Sequence, residues 1–192
     1  MHRLSASFIL GYHGCHRRVG EELLAGADFR PSENAYDWLG PGVYFWEANP
    51  RRGLDFMREK AKRQRFDATD AFVVGAIIDL GLCLDLTTAE GIRLVKSAYH
   101  ELAQAAMRAG NPLPKNSEDF LRRPLDCAVI RYLHNVLELQ GFTPLQSVKG
   151  VFTEGNPAYE GAGICEKTHI QIAVLDASCI KGVFRVPRHH LT

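Results

Sequence analysis

The sequence predicts one α+β domain, a split β-sheet core with flanking helices. Two observations carry that prediction. Short apolar or alternating runs, which suit strands, lie near both ends of the chain, and longer stretches with helical periodicity lie between them. Length supports a single unit: 192 residues can bury a sizeable core, and no internal repeat or low-complexity linker divides 1–192.

Each element has its own signal. Ser7–Tyr12 (SFILGY) reads as the first strand. Arg17–Ala25 sets Val19, Leu23 and Leu24 among charges, a short helix ended by Gly26. Arg30–Asp37 is rich in turn residues and reads as a loop. Gly42–Trp46 is a strand, and Asn49 then caps a helix with Pro50 at its first position. That helix, Pro50–Gln64, carries Leu54, Met57 and Ala61 on one face. Ala71–Leu80 (AFVVGAIIDL) is a buried strand, broken by Gly81 and continued over Cys83–Leu86.

The second half follows the same rules. Thr87 or Thr88 opens a helix to Met107, with Ile92, Val95, Ala98, Tyr99 and Leu102 at helical spacing. Gly110–Asn116 is a loop and Ser117–Arg123 a helical turn. Ala128–Leu139 is a helix, with Val129, Tyr132, Leu133, Val136 and Leu137 on one side and Gly141 as its stop. Ser147–Thr153 is a strand, and Glu154–Cys165 a Gly-rich loop. His169–Leu175 alternates, with His169, Gln171 and Ala173 on one face. Ile180–Val186 is the last strand.

Composition narrows the function. A formal net charge of +1 gives no broad field for nucleic acid or acidic membranes. Arg51, Arg52, Arg58, Lys62 and Arg65, along and just past the Pro50–Gln64 helix, form a solvated face or a local patch. Five cysteines with no CxxC pair argue against a disulfide framework or zinc knuckle and fit a reducing cytoplasm. Eight histidines show no paired ligand spacing, so no metal is expected. No run approaches the ~20 apolar residues of a membrane span, and no secretory h-region opens the chain. Without GxGxxG or a Walker pattern, a dinucleotide would not be held in the Rossmann manner.

Two short segments point to a ligand. Gly11-Tyr12-His13-Gly14-Cys15 and Leu39-Gly40-Pro41-Gly42-Val43-Tyr44-Phe45-Trp46-Glu47 each set a polar ring on a strand edged with glycine, where a flat molecule can lie on the main chain. Singly, His13 also reads as a half-buried imidazole on a carbonyl, and Tyr44 as strand packing. Cys15, on the same strand face as His13, raises a Cys–His nucleophile. A third segment, Ala158–Gln171, sets a Gly-rich loop before an alternating strand, with Glu154, Glu160 and Glu166 in or just before it. A carboxylate can stabilise the positive charge that builds on a sugar as its glycosidic bond breaks.

The ordered set GYHG, LGPGVYF and a glutamate before a late strand resembles the His-Tyr-Glu class of ADP-ribosyltransferases, which includes the poly(ADP-ribose) polymerases and diphtheria-toxin-like enzymes. Ile77–Leu86, Leu125–Ile130 and Lys149-Gly150 resemble intervening stretches of that family, the second of them a family strand. The resemblance implies an ADP-ribosyltransferase-like split sheet and NAD as substrate. It implies that His13 holds a ribose, Gly14 clamps the nicotinamide carboxamide and Tyr44 stacks on that ring. Tyr12, Ser32, Gly42, Arg52, His169 and Gln171 join the NAD-binding set, and Glu166 is the expected catalytic carboxylate, with Glu160 second. Arg52 stands where the family often has a small serine, and His169 where it has its glutamate. Single-unit transfer to a protein or nucleic-acid acceptor is therefore expected rather than chain elongation. NAD hydrolysis, or binding without turnover, are the alternatives. A bacterial toxin or defence protein, with an antitoxin or immunity partner and no membrane, is the implied setting.

Overall fold

A seven-stranded sheet organises the described residues, 8–119 and 121–192 of the computed structural model. Its strands are β1 (Phe8–His16), β2 (Val43–Glu47), β3 (Ala71–Asp79), β4 (Cys83–Asp85), β5 (Ser147–Phe152), β6 (His169–Val174) and β7 (Ile180–Arg185). Four helices accompany them: α1 (Arg17–Leu24), α2 (Pro50–Gln64), α3 (Ala89–Ala109) and α4 (Pro124–Leu139). The spatial order is β4-β5-β6-β2-β1-β3-β7, and only the β4–β5 pair is parallel. The α+β expectation holds.

Local chemistry explains the helix ends. The Asn49 side chain accepts from Arg52 N, and Pro50 takes the first turn of α2. Thr88 accepts from Gly91 N, and Gly110 closes α3 in the left-handed region. Pro124 starts α4 four residues before the expected Ala128, so Leu125–Ile130, strand-like by the resemblance, is helical. Two other expectations change. Cys83–Asp85 does not extend β3; a turn at Gly81 sends it to the far edge, where it pairs with β5. On α3, Ala98 is buried and Leu94, Val95 and Leu102 pack on the core, whereas Ile92 and Tyr99 face outward. Residues 117–123 form turns and bends rather than a helix, with Phe120 outside the described residues, as Ser7 is.

Three apolar clusters hold the sheet. On one face, α3 and α4 cover β4–β6 through Leu84, Ala98, Ile130, Leu133, Val148 and Ala173. On the same face, α2 covers β1 and β3 through Tyr12, Leu54, Met57 and Val73. The opposite face buries Phe45, Ala76, Ile78 and Ile172. Between α2 and α4 the first face keeps a polar, aromatic strip.

Candidate functional site

The sheet parts at its centre. β1 and β2 pair only at Gly11↔Glu47 and Tyr12↔Trp46. Beyond Tyr12, β1 continues beside β3 to His16, and the near end of β2 pairs with β6. His13 stands in this fork. Its Nδ1–H donates to the Tyr44 carbonyl at 2.9 Å, a bond that the ladder would otherwise supply from backbone. Burial pushes the imidazole below its ordinary pKa.

His13 and Tyr44 open on opposite faces. Strand parity follows from Tyr12↔Trp46: Tyr12, Gly14, Tyr44 and Trp46 share one face, and His13 shares the other with Phe45. The His13 ring contacts Phe29 and Phe45 at 5.4 and 5.7 Å. The Tyr44 hydroxyl donates to Gly40 O at 2.8 Å and accepts from Leu39 N at 3.0 Å, and its ring packs on the α3–α4 cluster. Burial raises its pKa well above the ordinary value.

The other clamp residues are committed to structure. A Cβ on Gly14 would meet Gly53 O at 2.5 Å, so α2 occupies the space where a ligand was expected. Gly42, at φ 147°, passes so close to Val174 O that a Cβ would sit 2.9 Å from it, and it bridges to Ser32. The Ser32 hydroxyl donates to Asp37 at 2.6 Å. Tyr12 is buried edge-to-face on Phe184. Burial lifts the Cys15 thiol to about 12, which leaves little thiolate for nucleophilic attack.

The polar strip gathers at the start of β6. Gln171 lies opposite Trp46 and accepts from Trp38 Nε1 at 3.1 Å. His169 stacks on Phe152 at 5.3 Å with planes 2° apart, and its Nδ1 bonds Lys167 O at 2.6 Å. Arg52 is buried rather than part of a solvated basic face. Its Nη2 reaches Glu154 Oε2 at 2.7 Å, with Glu59 at 3.8 Å from Nη1. Trp46 Nε1, Arg52 Nε and Nη1, and His169 Nε2 are buried with no hydrogen-bond partner among the described residues. Lys167 Nζ meets Glu59 at 2.8 Å. Burial raises the Glu59 pKa, but Lys167 and Arg52 outweigh it and hold the carboxyl below its ordinary value.

Two clefts flank the Glu59–Lys167 pair. One, of about 250 Å³, is lined by Asn49, Arg52, Asp55, Glu166 and Thr168, among others. The second, of about 520 Å³, is lined by Lys62, Arg63, Leu121 and Glu154, among others. Glu59 and Lys167 border both. Glu166 is exposed on the first cleft, Glu160 is exposed in the loop, and Glu154 is the half-buried carboxylate on Arg52. Of the residues the sequence singles out, Arg52 and Glu166 share the first cleft, His169 and Gln171 are buried on β6 outside the lining of either cleft, and His13, Ser32 and Tyr12 lie elsewhere. Trp38 and Glu59 join the strip although no short motif marks them, and so do Trp46, from the segment that carries Tyr44, and Glu154, from the three candidate glutamates. Only the strand phase of His169 and Gln171 hinted at this face.

The chain matches no family model, no curated protein and no solved structure. No helix among the described residues is long and apolar enough to cross a membrane.

Proposed function

We propose that this chain is an NAD-dependent ADP-ribosyltransferase with the split-sheet core of the His-Tyr-Glu class, transferring a single ADP-ribose to a macromolecular acceptor. One observation carries the reading. The strands bearing GYHG, GVYF and THIQ, spread over some 160 positions of sequence, are neighbours in the order β6-β2-β1. The sheet parts between two of them. In this reading the C–N glycosidic bond loosens through an oxocarbenium-like state, and a carboxylate stabilises the charge. Glu166, on the cleft beside Arg52, is the proposed carboxylate. A toxin or defence role in the cytoplasm, with an antitoxin or immunity partner, remains the proposed setting.

A second reading has its own support. His13 and Tyr44 open on opposite faces, Gly14 is covered, and Glu154 is neutralised by Arg52. These features favour a module that binds NAD, ADP-ribose or a protein without turnover. Incubation with NAD labelled in its ADP-ribose part and a cell lysate separates the readings. Label on a macromolecule supports transfer, free ADP-ribose indicates NAD hydrolysis, and neither, with measurable NAD binding, indicates the module. Glu166→Ala should cost ~10²–10³ in rate, and full turnover by that variant removes Glu166 from the mechanism.

A further inference from the structure

We propose that His169 is the general base of the transfer, accepting on Nε2 the O–H proton of the attacking hydroxyl or water. The inference rests on the transferase reading above.

The tautomer follows from the hydrogen bond. A carbonyl oxygen only accepts, so the 2.6 Å contact with Lys167 O requires the proton on His169 Nδ1. Nε2 then carries a lone pair, and it meets no partner among the described residues although the residue is only 6% exposed. Phe152 fixes the ring plane from one side, and Trp46 lies 6.3 Å away. An imidazole held by its other nitrogen, with a bare and oriented lone pair, is the arrangement a general base needs.

The surroundings fit that role. Arg52 and Glu59 face this region from α2, Glu154 from the loop after β5, and Lys167 from the preceding turn. Burial, with the Arg52 charge, outweighs the Glu154 carboxylate and the Lys167 carbonyl and keeps the ring below its ordinary pKa, hence unprotonated at neutral pH. The unpartnered N–H groups of Arg52 and Trp46 nearby suit the oxygen of a hydroxyl or water. Lys167, whose carbonyl holds the ring, borders both clefts. Its pairing with Glu59 is exposed enough, at 42% and 34%, to part readily.

The step balances. The acceptor oxygen forms a bond to the ribose anomeric carbon while the C–N bond breaks. That bond's electron pair passes to the pyridinium nitrogen, which leaves as neutral nicotinamide. The acceptor proton moves to His169 Nε2, and the imidazolium then returns it to solvent.

The test measures nicotinamide release from NAD by the full chain across pH 5–9, with the cell lysate present as acceptor source. Wild type should lose rate on the acid side with unit slope. His169→Gln should lose ~10²–10⁴ in kcat together with that limb, with little change in KM for NAD. Turnover by wild type with an unchanged profile in the variant overturns the base and leaves the transferase reading standing; no turnover by wild type overturns both. A long-range proton–nitrogen NMR correlation on wild type needs no variant. Nδ1–H with a bare Nε2 is expected, and Nε2–H overturns the proposal.

Discussion

Arg52 Nη2 and Glu154 Oε2 stand 2.7 Å apart across 102 positions of sequence, tying α2 to the loop that follows β5. The Arg52 side chain is 9% exposed and the Glu154 side chain 18%, so little water replaces either partner. Removing the carboxylate leaves a buried guanidinium with only Glu59 nearby. Glu154→Gln should lower stability by about 3 kcal/mol. The double variant Arg52→Met with Glu154→Leu should lose less, because no lone charge is left behind. Urea midpoints for the two variants settle this, and an unchanged midpoint in Glu154→Gln would show that the pair contributes nothing.

Gly14 and Gly182 make a matched pair. A Cβ on Gly14 would press on Gly53 O at 2.5 Å and Met57 Cγ at 2.9 Å, one of them rigid backbone. A Cβ on Gly182 would meet nothing within 4 Å among the described residues. Gly14→Ala should cost about 1–3 kcal/mol by overpacking, and Gly182→Ala should be near neutral. Equal thermal midpoints for both variants would contradict the close approach of α2 to β1.

Tyr44 is anchored by its hydroxyl, which serves both Leu39 N and Gly40 O. Tyr44→Phe keeps the ring and strands a backbone donor on the fully buried Leu39. A loss of about 1–3 kcal/mol is expected. A phenylalanine variant as stable as wild type would mean that the hydroxyl is free for a ligand instead.

Acid should loosen the fold in a defined window. Burial lowers the pKa values of His13, His134 and His169. The unfolded chain therefore binds protons first, near ~6.5. The stability these residues contribute is complete above that value and is lost as pH falls through it toward the lowered folded values. Denaturation curves between pH 8 and 5 should show the decline, and His13→Gln should flatten part of it. A flat wild-type profile would exclude buried neutral histidines.

Most element boundaries were legible because local chemistry sets them. Asn49-Pro50 opens α2 by capping and a fixed φ, and the alternation over 169–174 gives β6 its two faces. The run Cys83–Leu86 marks β4 to within a residue but not its place, since the strand's three residues take their partner from β5 rather than from their own pattern. The relation of His13 to Tyr44 was also hidden. Each motif marks a strand, but only the pairing of Tyr12 with Trp46 decides that the two rings diverge. Arg52 looked like one more cation on a solvated helix, next to the buried run Gly53 and Leu54. Its burial is matched by Glu154, one of three glutamates around a glycine-rich loop, and nothing local shows which of the three meets it.

The β1–β2 seam carries the fewest ladder pairs in the sheet, two, and it lies at the middle rather than at the rim. Leu10, Gly11 and Tyr12 fasten one half to the other, and an imidazole stands in for the next rung. The apolar face opposite the strip bridges this seam, with Phe45 and Ile172 on one side packed in one cluster with Ala76 and Ile78 on the other, so buried side chains rather than backbone rungs join the two halves of the sheet.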